Sequence, residues 1–237
     1  MPRFFTGPLQ GDRAVVTGED AAHISRSLRL RPGEELILCD GEGTDYRCEI
    51  LSVGETVEAA VLEKMPSETE PRVRITLYQA CPKGDKMETI VQKAVELGAS
   101  AIVPVLTDRC VSRPDGRSME KKLQRYQKIA LEAAKQSGRG VIPQVRPLMT
   151  LKEAGLSYEG RGIVFYEKGG ERLCRLLIGE EQEISLFVGS EGGFAPEEIA
   201  FLEEQGVQAA TLGKRILRCE TAPLCGLSVV LSLTGEL

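Results

Sequence analysis

The sequence has few of the residues that build common metal and covalent-catalysis sites. It contains a single histidine, His23, so a histidine-based zinc site and a Ser-His triad are both implausible. Its seven cysteines are odd in number, widely spaced and without a CxxC pair, which argues against a disulfide framework and a structural zinc site. We therefore expect reduced thiols in a reducing compartment, and no metal.

Signals for membrane insertion and export are also missing. There is no apolar run of the roughly 18 residues needed to span a bilayer. The N-terminal stretch MPRFFTGPLQGD lacks the apolar core of a signal peptide. With 42% hydrophobic and 27% charged residues over 237 positions, the chain is predicted to be a cytoplasmic protein of two domains with no membrane partner.

Positive charge is concentrated in one part of this acidic chain. Residues 109–146 contain ten Lys or Arg against three acids, so this window carries +7 while the net charge is -5 and the remainder carries -12. A concentrated positive field is typical of a protein with an anionic partner such as nucleic acid. The alternative is a solvated helix face, and charge alone does not decide between them.

The N-terminal part, residues 1–66, is predicted to be a small β-barrel. Short alternating runs such as RAVVTG and EELILCD are separated by turn signals, which indicates five or six strands, a size typical of small RNA-binding barrels. Arg26, Arg29 and Arg31 lie near His23 with no acid among them, and guanidinium groups match phosphate oxygens. A solvated helix edge is the alternative. The proline-containing stretch MPSETEP, residues 65–71, is predicted to be a linker.

The second domain, residues 72–237, is predicted to have an α/β fold. Strand-like runs such as RITLYQA and ISLFVG alternate with amphipathic helices, predicted over residues 86–97 and 119–136. This alternation indicates a parallel sheet covered on both faces, which binds ligands at the carboxyl ends of its strands.

Two loops near the C-terminus carry the candidate chemistry. The turn SEGGF matches neither GxxxxGK[ST] nor GxGxxG, and Glu191 would repel a triphosphate. A glycine turn with a carboxylate suits a neutral or cationic small molecule such as S-adenosylmethionine, although a purely structural turn would also use these glycines. In KRILRCETAP, the apolar Ile216 and Leu217 interrupt a charged loop, which predicts that they line a pocket wall.

Together these segments resemble a known family. GSEGGF, LGKRILRCETAPLCGLSVV, KGDKMETIVQKAVELGASAIVP, AAKQSGRGVIPQV and the N-terminal HISRSLRLRPGEELILCDGEG are similar, in this order, to the RsmE family of ribosomal RNA small-subunit uridine-N3 methyltransferases of the SPOUT superfamily. The resemblance implies a PUA-like barrel, a C-terminal α/β domain with a trefoil knot that binds S-adenosylmethionine, and a homodimer acting on ribosomal RNA or the assembled small subunit. Ser190 departs from the proline usual in this turn, which we expect to loosen it.

The resemblance also implies roles for individual residues. Those expected to bind the cofactor are Gly189, Glu191, Gly192, Leu212, Gly213, Ile216, Leu217 and Arg218. Arg139 and Arg218 are candidates to stabilise charge on the uracil oxygens, and Gln136 to orient the base. The proton acceptor stays open between Glu191, Glu220 and solvent. Residues expected to contact RNA phosphates are Arg26, Arg29, Arg31, Lys121, Lys122 and Arg125.

Two other classes of function are compatible with parts of the pattern. The chain could be an RNA-binding protein whose α/β domain only dimerises, in which case it would not bind S-adenosylmethionine. It could also be a nucleotide-hydrolysing α/β enzyme, which the missing Walker lysine disfavours.

Overall fold

The computed structural model describes residues 1–9 and 11–237, and its chain divides into two compact units. The N-terminal unit comprises Met1–Glu70 and Ala134–Ile142, and the C-terminal unit comprises Pro71–Ala133 and Pro143–Leu237. Within the described ranges, none of the helices has the length and apolar character required to cross a membrane.

The N-terminal unit is built on one sheet of five strands. These are β1 (Arg3–Phe5), β2 (Arg13–Val16), β3 (Glu35–Cys39), β4 (Thr44–Val53) and β5 (Val57–Pro66), paired in the order β1-β3-β4-β5-β2. β1 runs parallel to β3, and the other pairs are antiparallel. Helix α1 (Gly18–Ala22) and a π-helical turn (His23–Leu28) connect β2 to β3. The five strands of this sheet agree with the five or six predicted from the sequence.

Alternation along the strands forms the core of this unit. In β2, Ala14 and Val16 are buried while Arg13 and Val15 are exposed, as expected for a strand with one face on a core. Leu36, Leu38 and Ile50 belong to the same cluster from β3 and β4. The strands thus contribute to the core with side chains spaced two residues apart.

Residues 134–142 belong to the N-terminal unit, whereas the domain boundary predicted from the sequence placed them in the second domain. The reason is a set of contacts to Glu70. Its carboxylate accepts hydrogen bonds from Arg139 Nε at 3.2 Å and from the backbone N–H groups of Gly140 and Val141 at 3.1 Å each. Sequence patterns did not indicate this grouping, because Glu70 and Arg139 are 69 positions apart.

The C-terminal unit contains an eight-stranded parallel sheet, as the alternating pattern predicted. Its strands are β6 (Arg74–Ala80), β7 (Ala101–Leu106), β8 (Gln144–Val145), β9 (Met149–Thr150), β10 (Arg161–Phe165), β11 (Glu171–Arg172), β12 (Glu183–Val188) and β13 (Gln208–Thr211). The order is β11-β13-β10-β12-β6-β7-β8, with β9 also paired to β7. The helices are α2 (Lys86–Glu96), α3 (Gly116–Ser137), α4 (Leu151–Ser157), α5 (Leu173–Leu176), α6 (Pro196–Glu204) and α7 (Ala222–Leu233). The last four residues of α3, from Ala134 on, belong to the N-terminal unit.

Local signals explain most of these elements. α2 lies where an amphipathic helix was predicted, and its buried side chains recur with the 3.6-residue period of one helical face, namely Met87, Ile90, Val91, Ala94 and Val95. α6 begins with Pro196 at its first position, and the Glu198 carboxylate accepts hydrogen bonds from the N–H groups of Ala195 and Asp108, both at 2.8 Å. α4 was not predicted, although Thr150 and Glu153 form the capping box that its sequence encodes.

Candidate active site

A cavity of about 590 Å³ opens at the carboxyl ends of three neighbouring strands, β10, β12 and β13. Three segments at the ends of these strands line it. They are the β10 end (residues 165–167), the first loop (residues 189–194) and the second loop (residues 212–219). The sequence predicted a ligand site at this edge of the sheet, and the cavity lies there.

The first loop folds as a tight turn that depends on its glycines. Gly193 has φ +63° and donates its N–H to the Ser190 carbonyl at 3.0 Å. A Cβ on Gly192 would come within 2.8 Å of Arg109 Cβ, so this position also needs a residue without a side chain. Beneath the loop, the buried Gln79 Nε2 donates to the Gly189 carbonyl at 3.3 Å. These contacts hold the turn at the end of β12.

Ser190, the departure from the usual proline, has a specific environment in this loop. The residue is 7% exposed, and its Oγ is buried without a hydrogen-bond partner among the described residues. Its carbonyl retains the bond from Gly193, so the turn keeps its closing interaction. The hydroxyl therefore makes no visible contribution to holding the loop.

The second loop forms another wall of the cavity. Gly213 has φ +106° and turns the chain after β13, where its N–H donates to Thr211 Oγ1 at 3.1 Å. Ile216 and Leu217 both line the cavity, although Ile216 is 83% exposed. Phe165 also lines the cavity, and its buried ring packs against Gly226 of α7, where a Cβ would lie 2.3 Å from the ring. Phe165, Ile216 and Leu217 thus give the cavity apolar surface.

Lys86, at the start of α2, joins the two loops and was not singled out by the sequence. Its Nζ lies 2.8 Å from the Glu191 carboxylate of the first loop and 3.5 Å from the Glu220 carboxylate that follows the second. Glu191 also accepts a hydrogen bond from the Lys83 N–H at 3.1 Å. The two lysines of the KGDK sequence after β6 are evident in the sequence. Their pairing with Glu191 is not, because that residue lies more than 100 positions away from Lys86.

These contacts shift the pKa values of Glu191, Cys219 and Glu220. Burial acts to raise the pKa of Glu191, but hydrogen bonds from the Lys86 ammonium and from backbone N–H groups outweigh it and hold the pKa below its usual value. The Cys219 thiol, 3.2 Å from Glu220, lowers the pKa of that carboxyl. Burial, reinforced by Glu220, raises the pKa of Cys219 to about 12. Both carboxylates are therefore ionised and poor proton acceptors, and the thiol is protonated at neutral pH.

The structure brings together the residues predicted to bind the cofactor. All eight line the cavity, namely Gly189, Glu191, Gly192, Leu212, Gly213, Ile216, Leu217 and Arg218. Arg218 is also one of the predicted catalytic residues, and its exposed guanidinium approaches Glu220 at 4.0 Å.

The other two predicted catalytic residues belong to the N-terminal unit, whereas the cavity is lined by residues of the C-terminal unit. Gln136 is exposed. Arg139 is 3% exposed and is bound to Glu70. Their catalytic roles stay predictions.

The predicted RNA-contacting residues are mainly at the surface. Arg26, Arg29 and Arg31 are exposed on the N-terminal unit, and Arg29 ends the π-helical turn with φ +55°. On α3, Lys121 is exposed, Lys122 is half-buried, and Arg125 is exposed and lies 2.7 Å from Glu88 of α2.

Comparisons with known proteins define the class to which this fold and cavity belong. A family model described as "RNA methyltransferase domain" matches residues 69–231, and one described as "RNA methyltransferase PUA domain" matches residues 16–59. The two matches cover the α/β sheet with its cavity and, in the N-terminal unit, α1, the π-helical turn, β3 and β4. The class is thus that of RNA methyltransferases with a PUA domain.

Full-length relatives narrow this class. Ribosomal RNA small subunit methyltransferase E of Bacillus subtilis (strain 168) is 34% identical over 225 residues, covering 91% of this chain and 88% of the relative. The protein of that name from Mycobacterium bovis is 35% identical over 240 residues, covering 98% and 90%. The chain belongs to the ribosomal RNA small subunit methyltransferase E family.

A solved structure agrees with this membership. The Neisseria gonorrhoeae ribosomal RNA small subunit methyltransferase E, crystallised bound to S-adenosyl methionine, is 33% identical. It superposes with a TM-score of 0.86, covering 98% of each chain.

Proposed function

We propose that this chain transfers a methyl group from S-adenosylmethionine to N3 of a uridine in small-subunit ribosomal RNA. One observation carries the proposal: the eight residues to which the family resemblance gave cofactor binding, on two loops separated in the chain, line a single cavity. Membership in the methyltransferase E family and the S-adenosylmethionine-bound relative support it.

The residues around the cavity fit such a cofactor. Its volume of about 590 Å³ lies within the range of small-molecule sites. Phe165, Ile216 and Leu217 provide apolar surface for an adenine ring, and the glycines leave backbone groups accessible for its edge. When bound there, S-adenosylmethionine would supply an already activated methyl group on a sulfonium.

The chain's own contribution is mainly alignment and charge stabilisation. Removal of the N3 proton spreads negative charge over the uracil carbonyl oxygens, and Arg218, exposed at the cavity, is the cation proposed to face them. Glu191 and Glu220 are ionised and bound to Lys86, so we assign the proton to solvent. Gln136 is proposed to orient the base. Arg139, whose guanidinium is hydrogen-bonded to Glu70, is proposed to share this role with Arg218.

Recognition of the substrate is proposed to use the exposed basic residues. N3 lies on the Watson–Crick edge, so the target base must be unpaired or flipped out of its stack. Arginines 26, 29 and 31 and the basic residues of α3 would contact phosphates, which position RNA without reading its sequence. The partner is ribosomal RNA, free or in the assembled small subunit, and the site of action is the cytoplasm.

The trefoil knot and the homodimer are further parts of the proposal. Family membership supports both. α7 is apolar on most sides, and its Val229 is exposed while Leu227 and Val230 are buried, which suits a helix that packs on a second copy. Light scattering during size exclusion tests the dimer, since a monomeric mass at micromolar concentration would contradict it.

Nucleoside mass spectrometry of small-subunit ribosomal RNA tests the activity. RNA from cells lacking the gene should lack one N3-methyluridine, and purified protein with S-adenosylmethionine should restore it. An unchanged nucleoside profile, with RNA binding intact, would favour the RNA-binding protein without catalysis.

A further inference from the structure

A second carboxylate lines the cavity besides Glu191. Glu167, in the β10 end, is exposed and lines the cavity. Its two carboxylate oxygens lie 3.0 Å from where a Cβ on Gly193 would stand. The carboxylate therefore rests against the first loop at a place left open by a glycine.

Glu167 differs in its partners from Glu191 and from the neighbouring Glu220. Glu191 and Glu220 both lie within ion-pair distance of Lys86. Within residues 1–9 and 11–237, Glu167 has neither a hydrogen bond nor an ion pair, and none of the second-loop cations that line the cavity, Lys214, Arg215 and Arg218, lies within ion-pair distance of it. Its negative charge is thus available to a ligand in the cavity.

We propose that Glu167 is a specificity-determining residue that favours S-adenosylmethionine over the product, S-adenosylhomocysteine. The inference rests on the proposed function. The two ligands share their adenosine and amino-acid parts, but the sulfonium gives S-adenosylmethionine one more positive charge than the thioether of the product. An uncompensated carboxylate at the cavity attracts the first ligand more strongly than the second. Product is then released more readily than donor, which favours turnover.

Isothermal titration calorimetry with Glu167→Gln tests this directly, because the amide keeps the shape and removes the charge. For an exposed charge pair, binding of S-adenosylmethionine should weaken by about 5-fold, while binding of S-adenosylhomocysteine changes by less than about 2-fold. Sinefungin, which carries an ammonium in place of the sulfonium, should weaken like the donor. Glu204→Gln, an exposed change on α6 away from the cavity, should leave all three affinities unchanged.

The outcomes separate this inference from the proposed function. Equal weakening of all three ligands, or no weakening, in a Glu167→Gln variant with the wild-type unfolding temperature would overturn the role of Glu167 and leave the methyltransferase proposal standing. Absence of S-adenosylmethionine binding by the folded wild-type protein would overturn both. Selective weakening of the two cationic ligands is the expected result.

Discussion

Replacing Arg139 by methionine should destabilise the N-terminal unit. Arg139 is 3% exposed, and its guanidinium contacts both Glu70 oxygens through Nε at 3.2 Å. Methionine preserves much of the apolar stem but leaves the Glu70 carboxylate without its cation. Removing one partner of a fully buried ion pair costs about 3–5 kcal/mol.

The expected magnitude for this pair is smaller. The Glu70 side chain is 21% exposed and keeps the N–H groups of Gly140 and Val141, so water and backbone compensate part of the loss. We expect the free energy of unfolding to fall by about 2–3 kcal/mol. Urea titration followed by circular dichroism measures it, with Arg47→Met as the control, because Arg47 pairs with Glu35 and Glu63 at the surface.

The same variant tests the catalytic prediction for Arg139. An unfolding midpoint equal to wild type would refute the stabilising role derived from the Glu70 contacts. The catalytic role has a separate readout, measured on the folded variant. If turnover falls far more than the affinity for S-adenosylmethionine, Arg139 acts on the reacting base, as predicted. Equal losses in turnover and affinity would remove it from the catalytic group.

Three further predictions concern the cavity. Gly226→Ala should lower stability by about 1–3 kcal/mol and weaken S-adenosylmethionine binding, measured by thermal unfolding and calorimetry, since the new Cβ would meet the Phe165 ring at 2.3 Å. Ser190→Ala should leave stability unchanged or raise it by about 1 kcal/mol in urea unfolding, because it removes a buried hydroxyl without a partner. Glu191→Gln should lower the unfolding temperature at neutral pH, because the contacts that lower the pKa of Glu191 stabilise the fold only while the carboxylate is ionised. This difference should shrink as the pH falls below 4.5 and vanish once the pH is below the lowered pKa of the folded protein.

Each of these has a contradicting result. Gly116→Ala is the control for Gly226, since a Cβ there meets no atom within 4 Å, and equal effects of both changes would refute the steric argument. A marked loss of stability in Ser190→Ala would show that the hydroxyl has a partner. A Glu191→Gln deficit that persists in acid would mean that the ion pair with Lys86 is not its cause.

Elements set by local pattern could be predicted from the sequence. The buried face of α2 follows from a 3.6-residue period, and α6 from Pro196 and the acids that follow it. The strand-end location of the cavity follows from strand–helix alternation, since parallel strands place their carboxyl ends together. The apolar Ile216 and Leu217 in a charged loop indicated a pocket wall without any structural information.

Contacts between distant positions could not be predicted in this way. Periodicity shows which face of an element is buried, but not which residue it meets. Lys86 therefore gave no sign of its pairing with Glu191, and the grouping of residues 134–142 with the N-terminal unit depended on Glu70. Glu167 is a lone acid after a strand in the sequence, and only the fold brings it beside Gly193.

Hydrogen–deuterium exchange with and without S-adenosylmethionine tests the central claim, that the cavity at the ends of β10, β12 and β13 is the methyl-donor site. Amide protection should increase in the β10 end, the first loop and the second loop, residues 165–167, 189–194 and 212–219. The turn at residues 54–56, between β4 and β5, should not change and serves as the internal reference. Protection confined to other segments, or none at saturating ligand, would contradict the account.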